Sequence, residues 1–225
     1  MTGSIAIVVP MRNEIAVVPD LVEHLQHWRA RGCEVLVVDG CSTDGSAEAV
    51  RRAGLKVVEC PPGRAIQMNA GAASASSDIV LFLHADTRLP EDADRMIAAA
   101  AESGRLWGRF DVRILGKPAV LKLISVLMNL RSRWTGIATG DQAMFVRRET
   151  FYALGGFPQQ PLMEDVEMSR RLRALARPAC IGAKARTSGR RWEARGVWRT
   201  IVLMWSLRLA YWLGAPAERL ARAYR

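Results

Sequence analysis

Residues 34–46 read Glu-Val-Leu-Val-Val-Asp-Gly-Cys-Ser-Thr-Asp-Gly-Ser, an apolar and β-branched run that ends in a carboxylate and a turn. A continuous apolar run of this length is typical of a strand buried on both faces, as in a parallel sheet. Similar runs predict strands at 4–9, 56–59 and 79–84, and apolar residues at helical spacing predict helices at 15–28, 46–53 and 64–75. The first half therefore predicts βα units around a mostly parallel, doubly wound sheet, an α/β fold of Rossmann-like type.

The pattern becomes less regular after residue 86. Helices are predicted at 91–103 and 119–133, and strands at 106–115 and 142–147. No internal repeat and no Pro/Gly-rich linker separates the two halves, and 225 residues suit one α/β domain. We therefore expect one shared core over 1–193, followed by an apolar and basic helical tail at 194–225.

The composition restricts the partners and the compartment. A formal charge of +10, mostly from arginine, favours an anionic partner: a nucleotide phosphate, a nucleic acid or an acidic membrane surface. The four cysteines show neither a C-x-x-C pair nor metal-like spacing, which indicates a reducing compartment. The N-terminus lacks the pattern of a secretory signal, so export by that route is not expected. The apolar stretch 197–213 is short for a bilayer span and contains Arg199 and Arg208, which disfavours a spanning helix.

Polar side chains stand at the ends of three predicted strands, where ligands of open α/β sheets bind. The first strand ends in 10–14, Pro-Met-Arg-Asn-Glu, the second in Asp39 and the fourth in Asp86. Asp39 can accept hydrogen bonds from a base or ribose, although a turn residue is the alternative. For Asp86, a divalent ion bridging to a diphosphate and an exposed turn carboxylate are equally compatible with the sequence. Arg64, which opens the third helix, either binds phosphate or solvates the helix end.

Glu164 and Asp165 form a second group of carboxylates, just before Met168 at the start of a predicted helix. They continue the apolar stripe that begins at Met168, so we expect both to point inward. A carboxylate at a helix N-terminus stays ionised and can still accept a proton from an acceptor hydroxyl. The alternative, a general preference for acidic residues in the first helical turn, accounts for Glu167 better than for an inward pair.

These segments, in this order, resemble the family 2 glycosyltransferases, whose domain has the GT-A nucleotide-diphospho-sugar transferase fold. The resemblance runs from about Ile5 to Trp192 and rests on the order and spacing of short motifs. The motifs are Val8-Val9-Pro10 with Asn13-Glu14, Val37-Val38-Asp39 with Ser42-Thr43-Asp44-Gly45-Ser46, Asn69-Ala70-Gly71, His84-Ala85-Asp86, Gly155-Gly156-Phe157, Glu164-Asp165 and Arg191-Trp192.

The resemblance implies an inverting transfer of one sugar from a nucleotide-diphospho-sugar to an acceptor hydroxyl. It implies a nucleotide-binding half at 1–115 and an acceptor half at 116–193 of the single domain. Asp165 would be the general base with Glu164 beside it, and Asp86 would bind a divalent metal, Mn²⁺ or Mg²⁺, as the last Asp of the D-x-D motif. The nucleotide site would be lined by Pro10, Glu14, Asp39 and Arg64. The donor sugar or the acceptor would lie near Gly140, Asp141, Gln142, Arg191 and Trp192.

Three positions depart from the family pattern. His84 replaces the first Asp of D-x-D, which leaves one carboxylate for a metal, and Gly40-Cys41 replaces the usual Asp-Gly. Ser188 replaces the Gln of the Q-x-x-R-W motif of polymerising synthases, so we expect one sugar per acceptor instead of processive synthesis. Residues 83–87 and 190–192 are similar to those of a compact bacterial subfamily associated with arsenosugar biosynthesis.

The resemblance also sets the expected partners. These are a nucleotide-diphospho-sugar donor and a small-molecule or lipid-linked acceptor in the cytoplasm, with no nucleic acid. Two interpretations of the tail at 194–225 stay open. One is a helix lying on the inner face of an anionic membrane, which its tryptophans and Arg219, Arg222 and Arg225 favour. The other is a helix pair packed across the domain or in a homodimer.

Two rival functions also stay open. A sugar-phosphate nucleotidyltransferase shares the sheet, but it needs a Gly-rich basic loop where residues 11–14 read Met-Arg-Asn-Glu. A non-catalytic basic module would bind phosphate backbones or membranes in a salt-sensitive way, and it would leave an inward Glu164 and Asp165 unexplained.

Overall fold

The structure, a computed structural model, describes residues 3–224. The strands in this range are β1 (Ile5–Met11), β2 (Glu34–Asp39), β3 (Lys56–Glu59), β4 (Ile79–Phe82), β5 (Thr87–Arg88), β6 (Trp107–Leu115), β7 (Phe145–Arg147) and β8 (Ala179–Ser188). The helices are α1 (Val18–Ala30), α2 (Ser46–Arg52), α3 (Arg64–Ala73), α4 (Ala93–Glu102), α5 (Val120–Thr135), α6 (Arg148–Ala153), α7 (Glu164–Leu175), α8 (Arg190–Arg195), α9 (Val197–Trp212) and α10 (Ala217–Tyr224). Short 3₁₀ turns lie at Ile15–Val17 and Gly140–Gln142.

The strands form one sheet in the order β3-β2-β1-β4-β7-β6-β8-β5. In the first half, β1 pairs in parallel with β2 and β4, and β2 pairs in parallel with β3. The predictions for β2 and β3 are confirmed to the residue, while β4 ends at Phe82 rather than at residue 84. β1, β2 and β4 are apolar on both faces, because α1 covers one face of the sheet and α3 the other.

The second half of the sheet is mixed, so the prediction of a mostly parallel sheet is wrong there. β7 runs antiparallel to both of its neighbours, β4 and β6, and β5 runs antiparallel to β8. The direction of a strand depends on how the preceding connection crosses the sheet, and the period of two along a strand is the same in both directions. Apolar periodicity therefore predicts strands here without their orientation.

Two local features of the second half also differ from the sequence patterns. The strand predicted at 142–147 begins only at Phe145, because a 3₁₀ turn occupies 140–142 and Ala143 has a left-handed φ of 46°. β8 lies in a stretch whose sequence pattern predicts no strand. It alternates small and basic residues and is ordered by its parallel pairing with β6 over most of its length.

Helix α3 lies unusually close to the sheet. A Cβ on Gly71 would stand 2.3 Å from Val8 Cγ1 and 2.8 Å from Val38 Cγ2, so only glycine permits this approach. Asn69, two residues earlier, donates to the Phe157 carbonyl and accepts from the Phe157 N–H. The Asn-Ala-Gly and Gly-Gly-Phe motifs thus form one packing unit that fixes the helix whose first residue is Arg64.

The tail helices pack against their own chain. Leu207 and Leu220, from α9 and α10, join Leu162 and Met163 in a small apolar cluster in front of α7. Packing across the domain, one of the two interpretations of the tail, is therefore observed, while Arg225 lies outside the described residues. In the stretch from residue 3 to residue 224, none of the helices combines the length and the apolar character needed to cross a membrane.

Candidate functional site

A cavity of about 160 Å³ lies where the end of β4, the turn at 140–142, the start of α7 and the tail helices meet. Its lining includes the predicted site residues Arg64, Asp86, Asp141, Glu164, Asp165, Arg191 and Trp192. The lining does not include Pro10, Glu14, Asp39, Gly140 and Gln142. Two larger surface clefts, of about 360 and 670 Å³, contain none of the predicted site residues. The fold thus gathers carboxylates and arginines from distant segments around one small cavity.

Helix α7 presents both of its first carboxylates to this cavity. Met163, just before the helix, has a left-handed φ of 66°, a conformation that is rare for a residue with a side chain and that turns the chain abruptly into α7. Glu164 is only 2% exposed, and Asp165 is half-buried. Asp165 accepts hydrogen bonds from the backbone N–H groups of Gly140 and Val166, each at 2.8 Å, one on each carboxylate oxygen. These two donors fix the carboxylate, and each oxygen retains a further lone pair for a proton.

Arg64 forms an ion pair with Glu164 across the cavity. Its Nη1 lies 3.3 Å from Glu164 Oε1, and 41% of the arginine side chain stays exposed. Burial raises the pKa of Glu164, the neighbouring Asp165 raises it further, and Arg64 lowers it. Arg64 thus provides the charge that makes a buried Glu164 tolerable, while it remains accessible to an anionic ligand.

Asp86 is connected to the end of β1 by an arginine. Arg190 Nη2 lies 4.0 Å from Asp86 Oδ2 and 3.5 Å from Glu14 Oε2. Burial raises the pKa of Glu14, and Arg190 opposes that effect. The end of β1 also adjoins the end of β2, since the Gly40 N–H donates to the Met11 carbonyl at 3.0 Å. The structure therefore brings all three predicted strand ends close together, although Glu14 and Asp39 do not line the cavity.

His84 lies between Gly140 and Asp141, in the position of the first Asp of a D-x-D motif. Burial, and to a smaller extent the neighbouring Arg64, lower the pKa of His84 to about 4, so the imidazole is neutral at pH 7. Its Nδ1 is 3.5 Å from Asp141 Oδ1. A Cβ on Gly140 would lie 2.2 Å from His84 Nε2, so a glycine is required for the imidazole to pack on this turn. Burial raises the pKa of Asp141, and Arg64 acts in the opposite direction.

Two of the predicted residues face the interior of the protein. Asp39 is 3% exposed and accepts hydrogen bonds from the Ser42 N–H at 2.9 Å and the Ser42 hydroxyl at 2.5 Å. Asp39 therefore stabilises its own turn, which is the alternative role that the sequence left open. Gln142 is fully buried, accepts from the Thr139 N–H and donates to Asn129, so it braces the turn from behind.

The site also contains residues that the sequence patterns do not predict. Thr200, Met204 and Arg208 of α9 line the cavity. Arg131 of α5 lies near Asp165 and Asp141; burial lowers the pKa of this arginine and the two carboxylates raise it. The two arginines could have been found from the sequence, because an arginine inside an otherwise apolar helix needs polar surroundings or a ligand.

Asp86 is the cavity carboxylate that the sequence resemblance assigns to a metal ion. Within residues 3–224, no group of three or more His, Cys, Asp or Glu side chains is arranged to hold one. Mg²⁺, however, is usually bound by one or two carboxylates together with substrate phosphates and water. A single carboxylate at Asp86 fits a metal that arrives with a diphosphate, and it does not fit a metal held by protein ligands alone.

Comparisons with known proteins show what the chain as a whole is similar to. Residues 6–150 match the sequence profile described as Glycosyl transferase family 2. The chain is 33% identical over 96 residues to the 4,4'-diaponeurosporenoate glycosyltransferase of Staphylococcus haemolyticus, covering 39% of this chain and 25% of that protein. It is 26% identical over 158 residues to the undecaprenyl-phosphate 4-deoxy-4-formamido-L-arabinose transferase of Salmonella choleraesuis, covering 64% of this chain and 47% of that protein.

The fold also has close counterparts among solved structures. The mannosyltransferase PcManGT from Pyrobaculum calidifontis, in complex with GDP-Man and Mn²⁺, superposes with a TM-score of 0.64 at 22% identity. The superposition covers 83% of this chain and 57% of that one. The chain spans less than half the length of each of the curated relatives it matches.

Proposed function

Because the chain belongs to glycosyl transferase family 2, we propose that it moves one sugar from a nucleotide-diphospho-sugar to an acceptor hydroxyl, with inversion at the anomeric carbon. The observation that carries the proposal is the shared cavity of Asp165, Asp86 and Arg64. A base, a carboxylate for a metal–diphosphate and a cation for phosphate oxygens are the groups that this reaction requires. Family membership favours sugar transfer over nucleotidyl transfer.

In the proposed displacement, Asp165 is the general base. The acceptor oxygen forms a bond to the anomeric carbon while the bond from that carbon to the diphosphate oxygen breaks, and Asp165 accepts the acceptor's proton. The hydrogen bonds from the Gly140 and Val166 N–H groups hold the carboxylate in place during this step. Glu164 assists by holding Arg64. Arg64 and Arg191 offset the charge of the departing diphosphate.

The nucleotide lies, in this proposal, in the half formed by 1–115, near Pro10, Glu14, Asp39 and Arg64. Gly140, Asp141, Arg191 and Trp192 surround the donor sugar or the acceptor. Asp86 would hold Mn²⁺ or Mg²⁺, which when bound stabilises the negative charge of the leaving nucleoside diphosphate. The Mn²⁺ in the complex of the Pyrobaculum mannosyltransferase with GDP-Man supports a divalent metal that binds together with the donor.

The acceptor is a small molecule or a lipid-linked molecule, and the name of the Salmonella relative supports the second class.

We place the enzyme in the cytoplasm, because the free cysteines suit a reducing compartment. Contact with the inner face of a membrane is supported by the exposed tryptophans of the tail, and no nucleic-acid partner is proposed. The tail helices pack on their own chain, which gives a homodimer less support. The replacement of the synthase Gln by Ser188 supports a single transfer, and residues 83–87 and 190–192 support the arsenosugar-associated subfamily.

Thermal shifts with nucleoside diphosphates test the proposal. A ligand that binds only the folded state at a hundredfold excess over its Kd adds about 2.7 kcal/mol, which raises the Tm of a protein of this size by about 5 to 10 °C. We expect one of UDP, GDP, ADP or CDP to do so, and more strongly with Mn²⁺. No shift with any of them would contradict the proposal. The anomeric configuration of the product, measured by NMR with the matching nucleotide sugar, tests inversion.

A further inference from the structure

Helix α9 has two sides in different environments, and one of them belongs to the cavity. Thr200, Met204 and Arg208 are spaced four residues apart and so form one stripe of the helix, which lines the cavity. The Nε of Arg208 is buried, and no group in residues 3–224 accepts its hydrogen bond. A buried guanidinium nitrogen without an acceptor costs free energy, so a ligand that supplies an anionic oxygen is favoured there.

The other side of α9 is an exposed apolar stripe, here called the outer face, formed by Trp198, Val202, Trp205, Leu209 and Trp212. The three tryptophans are 74%, 73% and 82% exposed. Helix α5, which shares a small apolar cluster with α9, exposes a second stripe made of Leu123, Leu127, Leu130 and Trp134. Soluble monomers seldom expose so much contiguous apolar surface, and such surfaces mark an interface.

The charges around the outer face favour an anionic bilayer as its occupant. Neither α5 nor α9 contains an Asp or Glu, and residues 194–224 contain five arginines against one glutamate. Two copies of the same basic face would repel each other, whereas anionic lipids attract it. Tryptophan is also the side chain enriched at the boundary between head groups and acyl chains. A helix with a tryptophan-rich face and basic flanks lies in the plane of that boundary.

We propose that the outer face of α9 rests on an anionic bilayer and that Arg208 binds the phosphate of an acceptor lipid whose head group carries a free hydroxyl. Phosphatidylglycerol has this chemistry. The inference rests on the proposed glycosyl transfer. Because Arg208 and Asp165 line the same small cavity, a head group held by its phosphate brings its hydroxyl to the base. The hydroxyl oxygen bonds to the anomeric carbon as the bond to the nucleoside diphosphate breaks, Asp165 takes the proton, and the products are a glycolipid and the free diphosphate.

Vesicle flotation tests the membrane part of the proposal. We expect wild-type protein to float with phosphatidylcholine vesicles that contain phosphatidylglycerol and to remain unbound to pure phosphatidylcholine, with binding weakened by salt. The double variant Trp205→Ser/Trp212→Ser should bind at least about tenfold more weakly. A tenfold change in affinity corresponds to about 1.4 kcal/mol, and the apolar surface that each tryptophan buries in the bilayer contributes more than that. Leu175→Ser, which removes an exposed apolar side chain from α7, is the matched control and floats like the wild type. Equal behaviour with the two kinds of vesicle, or a dimer in sedimentation that the double variant dissociates, overturns the proposal.

Arg208→Gln and Arg219→Gln test the head-group site. Both remove one positive charge from the tail, but Arg219 is exposed on α10 and away from the cavity lining. The donor in this assay is the nucleotide sugar that contains the nucleoside diphosphate found to raise the Tm. We expect only Arg208→Gln to raise the KM for phosphatidylglycerol, at least about tenfold, because it removes a charge-assisted hydrogen bond to the lipid phosphate. Equal KM values for the two variants would refute the site.

The choice of lipid separates the parts of the proposal. Phosphatidic acid vesicles, with phosphate but no head-group hydroxyl, bind the protein and yield no product. Soluble sn-glycerol 1-phosphate is a poor acceptor, and equal use of it would overturn the membrane part. If the inference alone fails, nucleoside diphosphates still stabilise the protein; if the proposed function fails, they do not.

Discussion

The substitution Asp165→Asn isolates the proposed base with little change in shape. Asp165 accepts two backbone hydrogen bonds, from Gly140 and Val166, and an asparagine amide can accept only one of them. We therefore expect a loss of about 1 to 2 kcal/mol in the free energy of unfolding, the cost of one unsatisfied buried donor. The loss in chemistry is larger. A positioned general base contributes about 10² to 10⁴-fold, which is roughly 3 to 5 kcal/mol in the barrier.

The assay is single-turnover transfer, accompanied by nucleoside diphosphate binding and urea unfolding on the same preparation. Donor binding stays near the wild-type value, because the base acts in the transition state. Glu167→Gln is the matched control. Glu167 belongs to the same first turn of α7 but pairs with Arg170 and Arg171, outside the cavity lining. Transfer by Asp165→Asn within tenfold of the wild-type rate would refute the assignment, and so would an equal loss in the control.

Three further perturbations have defined outcomes. Asp86→Ala should weaken UDP or GDP binding in Mn²⁺ at least about tenfold by calorimetry and leave binding in EDTA unchanged; equal affinities in Mn²⁺ would remove the metal role. Burial lowers the pKa of His24 to about 4, and its Nε2 accepts a hydrogen bond from the Trp28 indole, so unfolding should become easier as pH falls from 6.5 to 4. The loss reaches about 3 kcal/mol at the lower end, and urea titrations of wild type and His24→Gln should diverge across that window. Gly71→Ala should cost about 1 to 3 kcal/mol or more, because its Cβ would overlap Val8; an unchanged Tm would show that α3 can move away from the sheet.

The parts of the fold that could be predicted are those in which the local pattern of apolar residues matches the burial of the segment in the structure. β2 and β3 have their predicted bounds because each has an apolar, mostly β-branched centre between turn residues. β8 has no such run, since most of its positions are small or basic, and its order comes from pairing with β6. The antiparallel direction of β7 results from the path of the chain through α5, which no local pattern encodes.

The same division holds for the motifs of the site. The inward position of Glu164 and Asp165 could be predicted, because helical spacing relates them to the buried Met168. Gly71 and Gly140 are different: each permits a close approach to a side chain far away in the sequence, Val8 in one case and His84 in the other. A motif glycine of this kind indicates that something must come close, but only the fold shows what it is.

The ion pairs of the site explain why its carboxylates could be named from the sequence while their partners could not. Glu164 is paired with Arg64, a hundred positions earlier, and Arg190 faces both Asp86 and Glu14 from the other end of the domain. Separations of that size leave no periodic signal. The pairing also bears on the proposed function, because Arg64, which lines the cavity, is held by a carboxylate with which a donor diphosphate would compete. In the proposed reaction, the donor diphosphate would give Arg64 a second anionic partner. The buried Glu164, whose pKa burial already raises, is then the carboxylate that would lose most as Arg64 turned to the phosphate.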